Sequence, residues 1–232
     1  MQDMDKELHL TEEHVSRVFR DVPEGDDAAH WGWTRLDEAG IAAKAQEILA
    51  QRPEGPIEVF AYGSLLWKPE FRPAASRPGR AIGWHRAFCI ELTSWRGTPE
   101  APGLMMALMP GGDCTALLQE IDEAEVVPAL EALVRREMPF AELAESYAWI
   151  EVEADKGPVQ ALTFYAPPKG QDLRRDLSLD QTAAIIARAC GHAGSNAEYL
   201  HRTVTALAAQ GIHDANLWRL QQLVAAEIDA LD

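Results

Sequence analysis

The feature that most constrains the fold of this chain is an apolar run that is interrupted by a tight turn. Residues 59–67 read Val-Phe-Ala-Tyr-Gly-Ser-Leu-Leu-Trp, so a β-prone stretch meets Tyr-Gly-Ser and then resumes as apolar sequence. The pattern predicts a strand end where the backbone bends sharply, since Gly63 can adopt angles that a side chain would forbid. Such a bend can aim consecutive N–H groups at an anionic or carbonyl ligand. A hairpin or a bulge without any ligand also explains the local pattern.

The composition is that of an ordinary soluble globular protein, and the net charge excludes some classes of binding partner. The 232 residues suffice for one well-buried domain or for a domain with an appended arm, and 47% of them are hydrophobic. The net charge of −16, from 21 basic and 37 acidic residues, argues against a general nucleic-acid binder, which must neutralise phosphates. The same charge argues against an anionic membrane surface. We therefore expect no nucleic-acid partner and no membrane partner.

Cysteine usage and the lack of long apolar runs indicate the compartment. Cys89, Cys114 and Cys190 are odd in number and widely spaced, so neither a disulfide framework nor a CxxC metal site is predicted. The N-terminus is acidic and lacks the apolar core of a signal peptide. No apolar run approaches the roughly 18 to 20 residues of a membrane span. These observations predict a cytoplasmic protein in a reducing environment.

The order of predicted elements indicates a mixed α/β (α+β) fold with strands in the centre and helices outside. Residues 1–53 are predicted to form a helical N-terminal arm, with a first helix capped by Thr11 and a second over residues 34–51. Residues 54–232 are predicted to form the main domain. Its strands are predicted at 57–62, 79–92, 104–109, 114–121, 148–153 and 159–166, with a turn at 110–113. Its helices are predicted at 123–138 and, behind caps at Ser178, Ser195 and Asp214, through the C-terminal third.

One of these helices carries a carboxylate where an apolar residue is expected. The core-facing stripe of the helix at 123–138 is formed by Val126, Leu130, Leu133 and Val134. The next position of the stripe is Glu137, and a carboxylate there is uncommon unless it is paired or functional. Partial burial would raise its pKa and make it a better proton carrier near neutral pH. Alternatively, Glu137 swings into water at the helix end, or it pairs with Arg135 or Arg136, although adjacent helical residues do not face each other.

Other catalytic and cofactor motifs are missing from the sequence. The seven histidines include no HExxH and no close pair suited to a metal, and neither GxGxxG nor GxxxxGK[ST] occurs. Ser64 lacks the GxSxG context of a nucleophile elbow. The sequence therefore predicts neither a metal site nor a nucleotide cofactor.

Several segments that run through most of the chain resemble one family, the ChaC-type, glutathione-specific γ-glutamylcyclotransferases. The matching segments, in chain order, are 59–71, 83–89, 95–104, 136–138 and 191–200. The first resembles the family's signature loop, the fourth resembles the segment with its catalytic glutamate, and the last resembles its C-terminal helical signature. A Tyr-Gly-Ser-Leu alone is weak, but five ordered segments over about residues 57–225 are a specific signal.

The resemblance implies a fold, a reaction and a cofactor requirement. The implied fold is γ-glutamylcyclotransferase-like, a small mixed β-sheet or barrel surrounded by helices, with residues 54–232 as the catalytic domain. In the implied reaction, the free α-amine of a small-molecule substrate, glutathione, attacks its own γ-amide carbonyl and gives 5-oxoproline and Cys-Gly. The resemblance also implies that no water, metal or cofactor takes part.

The resemblance also assigns roles to residues of this chain. Glu137 is expected to move a proton from the attacking amine to the leaving amine. The turn is expected to hold the glutamyl head and the developing oxyanion through its backbone N–H groups. The turn residues are Ala61, Tyr62, Gly63, Ser64, Leu65 and Leu66. Arg96 either meets a substrate carboxylate or lies at the surface of a turn, and Tyr165 either binds substrate or packs in the core.

One departure from the family pattern leaves alternatives open. Residues 115–121 read Thr-Ala-Leu-Leu-Gln-Glu-Ile, where the family usually has a Gly-hydrophobic-Ala-Tyr/Phe strand. Because this strand is expected beside the site, the chain could instead act on other γ-glutamyl amides or dipeptides. A non-catalytic regulatory protein linked to cation transport is a second alternative, although pure binding does not need a proton carrier such as Glu137.

Overall fold

The computed structural model describes residues 7–25, 32–165 and 173–231. The chain divides into two units, the first comprising 1–25, 87–107 and 169–232, and the second comprising 26–86 and 108–168. The described helices are α1 (Glu12–Val18), α2 (Glu38–Ala50), α3 (Val126–Glu137), α4 (Leu179–Ile186), α5 (Asn196–Ala209) and α6 (Ala215–Asp229). None of these described helices is long and apolar enough to cross a membrane. The strands are β1 (Glu58–Ala61), β2 (Ala75–Leu92), β3 (Gly103–Glu120), β4 (Tyr147–Val152), β5 (Val159–Phe164), β6 (Cys190–Gly191) and β7 (Gly194–Ser195).

A mixed five-stranded sheet organises the region around β1. The strand order is β2-β3-β1-β5-β4, so β1 lies in the centre. β1 pairs antiparallel with β3, where Val59 is opposite Gln119, and parallel with β5, where the same residue is opposite Leu162. Because strands flank β1 on both sides and both its faces are covered, all four of its residues are buried. The sheet and the described helices confirm the predicted mixed α+β class.

The two faces of β1 pack into different apolar clusters of the second unit. Val59 and Ala61 pack with α2 and α3 in a cluster that includes Leu130. Phe60 lies on the opposite face and packs with residues of the neighbouring strands, such as Leu118. The alternation follows from the two-residue period of a strand. The helix that ends at Glu137 is therefore seated on the same strand that leads into the Tyr-Gly-Ser turn.

Buried amide side chains fix distant segments within the first unit. α1 packs on α5 and α6, and α4 packs on α6. On α6 the fully buried Gln221 accepts hydrogen bonds from the N–H groups of His9 and Leu10 at 2.7 and 2.8 Å, and it donates to the Glu7 carbonyl at 3.0 Å. At the start of α5 the fully buried Asn196 makes two hydrogen bonds to the backbone of β3. Such bonds satisfy backbone groups that burial would otherwise leave unpaired.

Local cap signals in the sequence are confirmed. The side chains of Thr11, Ser178, Ser195 and Asp214 each accept a hydrogen bond from a backbone N–H in the first turn of a helix. Gly211 follows α5 with a φ of 68°, the left-handed conformation that glycine adopts at helix C-termini. β5 ends at Phe164, and the predicted strand end at residue 166 lies outside the described residues.

Several predicted boundaries differ from the structure; β2, for example, begins at Ala75 rather than at 79. The turn predicted at 110–113 does not end a strand, because β3 runs through it without a break. Gly111 and Gly112 have φ values of 102° and 72°, and these left-handed conformations kink the strand while it continues. The second arm helix begins at Glu38 rather than at 34, because Asp37 caps it. The two arm helices also belong to different units, and a domain boundary at residue 53 stays a prediction.

Candidate active site

The predicted bend after β1 is present and takes the form of a single 3-10 turn. The turn spans Ser64–Leu66, and the Leu66 N–H donates to the Gly63 carbonyl at 3.0 Å. The N–H groups of Trp67 and Lys68 donate to the Ser64 carbonyl at 3.2 and 2.9 Å. Gly63 has a φ of −132°, so the bend does not use the left-handed region that favours glycine. The sequence predicts the bend correctly, but its geometry comes from the 3-10 turn.

Two N–H groups at the start of this turn take no part in its hydrogen bonds. Among the described residues the hydrogen bonds that close the turn are donated by the N–H groups of Leu66, Trp67 and Lys68. The N–H groups of Ser64 and Leu65 take no part in these bonds. The side chains of Ala61 and Leu65 are buried in the core, whereas Tyr62, Ser64 and Leu66 are half-buried. Backbone N–H groups are therefore the main chemistry that this turn can offer to an anionic or carbonyl ligand.

Three long-range hydrogen bonds hold the turn against the sheet. The Tyr62 hydroxyl donates to the Phe164 carbonyl at 2.7 Å, and the Tyr62 carbonyl accepts from the buried Arg86 guanidinium at 2.9 Å. Gln119 is also buried, and its Nε2 donates to the Leu65 carbonyl at 3.2 Å. Sequence reasoning missed Arg86 and Gln119 as supports of the turn. The available signal was a charged or amide residue within a run of otherwise buried strand positions.

Glu137 ends α3 and keeps a partly buried carboxylate. Its side chain is 23% exposed, and the apolar stripe that leads to it is buried. Burial is the largest influence on the pKa of Glu137 and raises it. The guanidinium of Arg136 lowers the pKa of Glu137, and the carboxylate of Glu70 raises it, with a net increase above the ordinary value. A carboxyl group with a raised pKa exchanges protons more readily near neutral pH than an exposed one.

Arg136 connects Glu137 to the turn. Its Nε lies 3.1 Å from Glu137 Oε1. Helix geometry disfavours pairs of adjacent residues, but this pair forms at the helix end. Its Nη1 lies 2.7 Å from Glu70 Oε1 and also donates to the Lys68 carbonyl. Its Nη2 donates to Ser64 Oγ at 2.8 Å. The structure therefore brings the predicted carboxylate and the predicted turn into one hydrogen-bonded cluster within the second unit.

The two secondary candidates, Arg96 and Tyr165, are engaged by other protein groups. Arg96 belongs to the first unit, where its Nη1 lies 2.5 Å from Glu198 Oε2 and 3.0 Å from the Ser195 carbonyl. The carboxylate that it meets in this structure is thus one of the protein's own. Tyr165 packs edge-on against Trp84, with ring centroids 5.8 Å apart. A substrate-binding role for either residue stays a prediction.

The cysteines and the acidic side chains form no metal site in the described ranges. Among those residues no group of three or more His, Cys, Asp or Glu side chains could hold a metal ion. Cys89, Cys114 and Cys190 are buried and form no disulfide bond. Burial raises the pKa of the Cys89 thiol to about 11, which keeps it in the unreactive protonated form.

Comparisons with known proteins identify the family of this chain. The family model described as ChaC-like protein matches residues 57–227. The chain is 37% identical over 180 residues to the glutathione-specific γ-glutamylcyclotransferase of Escherichia coli strain K12, and the match covers 76% of each chain. It is 29% identical over 190 residues to glutathione-specific γ-glutamylcyclotransferase 1 of Danio rerio, covering 80% of this chain and 96% of that protein.

A solved structure shares the fold. A selenomethionine-labelled γ-glutamyl cyclotransferase specific to glutathione, from yeast, matches with a TM-score of 0.64 at 22% identity, covering 75% of this chain and 97% of that one. This likeness confirms the predicted γ-glutamylcyclotransferase-like fold. The family match includes both the turn after β1 and the end of α3. The chain therefore belongs to the ChaC-like protein family.

Proposed function

We propose that this protein cleaves glutathione into 5-oxoproline and Cys-Gly by an internal cyclisation. The observation that carries the proposal is the single cluster that contains a half-buried carboxylate, Glu137, and a turn with N–H groups outside its own bonding pattern. The names of the relatives from Escherichia coli and Danio rerio support glutathione as the substrate. The proposed site contains Glu137 as the proton carrier and the backbone of residues 61–66 as the substrate cradle.

The reaction rearranges bonds within one substrate molecule. The α-amine nitrogen attacks the γ-amide carbonyl carbon and closes a five-membered ring, and the original amide C–N bond then breaks to release Cys-Gly. The nucleophile is already tethered to its target, so the protein mainly has to hold the folded-back conformer. Orientation of this kind can contribute roughly 7 to 11 kcal/mol when the geometry is ideal. Atoms balance without water, an oxidant or a reductant.

Glu137 moves the proton that passes from the attacking nitrogen to the leaving nitrogen. The attacking nitrogen must lose a proton, and the leaving Cys-Gly nitrogen must gain one, so a single carboxylate near both nitrogens serves as base and then as acid. The ionised form of Glu137 starts the reaction. Because the pKa of Glu137 is raised, Glu137 becomes protonated at a higher pH than an ordinary carboxyl group does. As the pH is lowered, the rate should therefore begin to fall at that higher pH.

The turn supplies stabilisation without a charged side chain of its own. The N–H groups of Ser64 and Leu65 can donate to the substrate's α-carboxylate or to the oxyanion that forms on the γ-carbonyl. Donors that are fixed before the reaction need no reorganisation as negative charge develops. The hydrogen bonds from Tyr62, Arg86 and Gln119 fix the turn in the free protein. We assign Ser64 to this cradle and not to nucleophilic attack.

Compartment and cofactor use belong to the same proposal. We place the protein in the cytoplasm, a reducing compartment, which suits three cysteines that form no disulfide bond. We propose that no cofactor takes part, since a tethered amine and a single proton carrier suffice for the chemistry. The non-catalytic alternative is not favoured, because simple binding does not require a carboxylate with a raised pKa.

Turnover of competing substrates tests the proposal. Purified protein is incubated separately with glutathione, γ-Glu-Ala and γ-glutamyl-lysine, and 5-oxoproline is quantified by mass spectrometry. We expect one 5-oxoproline and one Cys-Gly per glutathione consumed, with kcat/KM for glutathione at least ~10-fold above the other two, a discrimination that binding contacts can supply. Equal or better turnover of another γ-glutamyl compound would favour the broader cyclotransferase activity. No 5-oxoproline from any of the three would contradict the enzymatic assignment.

A further inference from the structure

We propose that Arg136 is a positioning residue that locks the proton carrier Glu137 to the substrate-binding turn. The inference rests on the proposed function, because it assigns a role within the same reaction. Arg136 contacts both parts of the site with one side chain, which is only 19% exposed. Through these contacts Arg136 bridges the Glu137 carboxylate and Ser64 of the turn.

The shape of the guanidinium group suits this task. Each of its three nitrogens has a different partner: Nε meets Glu137 at 3.1 Å, Nη1 meets Glu70 at 2.7 Å and Nη2 donates to Ser64 Oγ at 2.8 Å. Arginine presents its N–H donors in a rigid planar fork, whereas lysine carries a single point charge on a flexible chain. Lysine at position 136 could therefore satisfy one of these partners but could not fix all three.

The helix end explains why Glu137 needs such a partner. Glu137 is the last residue of α3, where the helix dipole places partial negative charge from unpaired carbonyls. A carboxylate is disfavoured there, and partial burial disfavours its ionised form further. The chain leaves the helix at the next residue, Met138, which has φ of −135° and ψ of 54°. Arg136 both offsets the charge and restrains the side chain.

Glu70 holds the other side of Arg136. Its Oε1 contacts Arg136 Nη1, and Lys68 Nζ lies 3.5 Å from the same oxygen. Glu70 has a φ of 64°, a left-handed conformation that costs a non-glycine residue energy and recurs at functional sites. With Glu70 in place, the guanidinium cannot swing away from Glu137 without losing a second ion pair. These contacts therefore hold Glu137, the turn and the loop at residues 68–70 in one relative arrangement.

Loss of Arg136 should have two separable effects. A free Glu137 side chain would sample orientations away from the substrate, which lowers kcat more than it raises KM. The charged groups that act on Glu137 are Arg136, which favours its ionised form, and Glu70, which opposes it. Removal of the guanidinium leaves burial and Glu70 unopposed, so the acidic limb of the pH profile should move to higher pH. Loss of a residue that only stabilised the fold away from Glu137 would not move that limb.

The chain contains a matched control. Arg135 is the adjacent arginine in the last turn of the same helix, and its Nη2 pairs with Glu38 at 2.6 Å. Both arginines form an ion pair and both interact favourably with the helix C-terminus, but only Arg136 contacts Glu137. Arg135→Met and Arg136→Met thus remove the same kind of charge from the same helix turn.

The experiment compares glutathione turnover across pH for the wild type, Arg136→Met, Arg136→Lys and Arg135→Met. We expect Arg136→Met to lose at least ~100-fold in kcat, a penalty typical of misplaced catalytic groups, with its acidic limb at higher pH. Arg136→Lys should lose less of its kcat than Arg136→Met, and the acidic limb of its pH profile should stay near that of the wild type. Arg135→Met should match the wild type in both respects. Circular dichroism and the thermal midpoint establish that each variant is folded.

Direct titration of Glu137 separates failure of this inference from failure of the proposed function. The carboxyl ¹³C signal of Glu137, assigned by its loss in Glu137→Gln, is followed by NMR against pH in the wild type and in Arg136→Met or Arg136→Lys. A higher pKa of Glu137 in Arg136→Met supports the inference even if glutathione is not the substrate. An unchanged pKa of Glu137 or an unchanged kcat in a folded Arg136→Met, or equal effects in Arg135→Met, would overturn it. An inactive wild type with the predicted titration would overturn the proposed function alone.

Discussion

Replacement of Asn196 tests how the C-terminal signature segment contributes to the fold. The Asn196 side chain is fully buried at the start of α5, where Oδ1 accepts from the Leu104 N–H and Nδ2 donates to the Leu104 carbonyl, both at 2.7 Å. Asn196→Ala would leave a backbone donor and a backbone acceptor buried without partners. Each unsatisfied group costs about 1–3 kcal/mol, so the free energy of unfolding should fall by about 2–6 kcal/mol. That is a large share of the typical total of about 5–15 kcal/mol.

Urea denaturation measures this loss, with differential scanning calorimetry as a second probe. For a chain of this size the expected loss corresponds to a decrease of roughly 4 to 24 °C in Tm. Asn216→Ala is the matched control, because Asn216 lies exposed in the first turn of α6. Its free energy of unfolding should stay within about 0.5 kcal/mol of the wild type. If Asn196→Ala were as stable as Asn216→Ala, the argument from buried hydrogen bonds would be refuted.

Two further predictions concern the N-terminal segment and the cofactor requirement. Gln221→Leu removes three hydrogen bonds to residues 7–10. Hydrogen exchange of the α1 amides should therefore accelerate, while the β1 amides keep their protection. Unchanged exchange of α1 would show that Gln221 does not hold the N-terminal segment. Exhaustive chelation should leave glutathione turnover unchanged, because no proposed step uses a metal; a loss of activity that one metal restores would contradict the cofactor-free mechanism.

The sequence predicts features that depend on neighbouring residues. The caps at Thr11, Ser178 and Asp214 form because their hydrogen bonds join residues within one helical turn. The apolar stripe of α3 likewise predicts which face is buried and where its carboxylate lies. The bend after β1 follows from a β-prone run that meets Tyr-Gly-Ser. All of these signals are contained in short stretches of sequence.

Features that depend on distant residues could not be predicted in the same way. The ion pairs of Arg136 join α3 to residues about seventy positions earlier, and no local pattern selects those partners. Ser195 and Glu198 match a capping box, but the Glu198 carboxylate pairs with Arg96 and Arg202 in the structure. The glycine pair after Pro110 predicts a turn, whereas the surrounding sheet keeps β3 continuous through it. Tertiary contacts override the local preference in each case.

The central claim is that Glu137 carries the proton in the cyclisation of glutathione, and Glu137→Gln tests it most directly. Glutamine keeps the shape of the side chain but cannot accept the proton, so the variant should fold as the wild type does. The measurement is 5-oxoproline release from glutathione by equal amounts of the two purified proteins. We expect Glu137→Gln to lose roughly 100- to 10,000-fold in kcat, the usual contribution of general acid–base catalysis. A folded Glu137→Gln that releases 5-oxoproline at nearly the wild-type rate would contradict the mechanism.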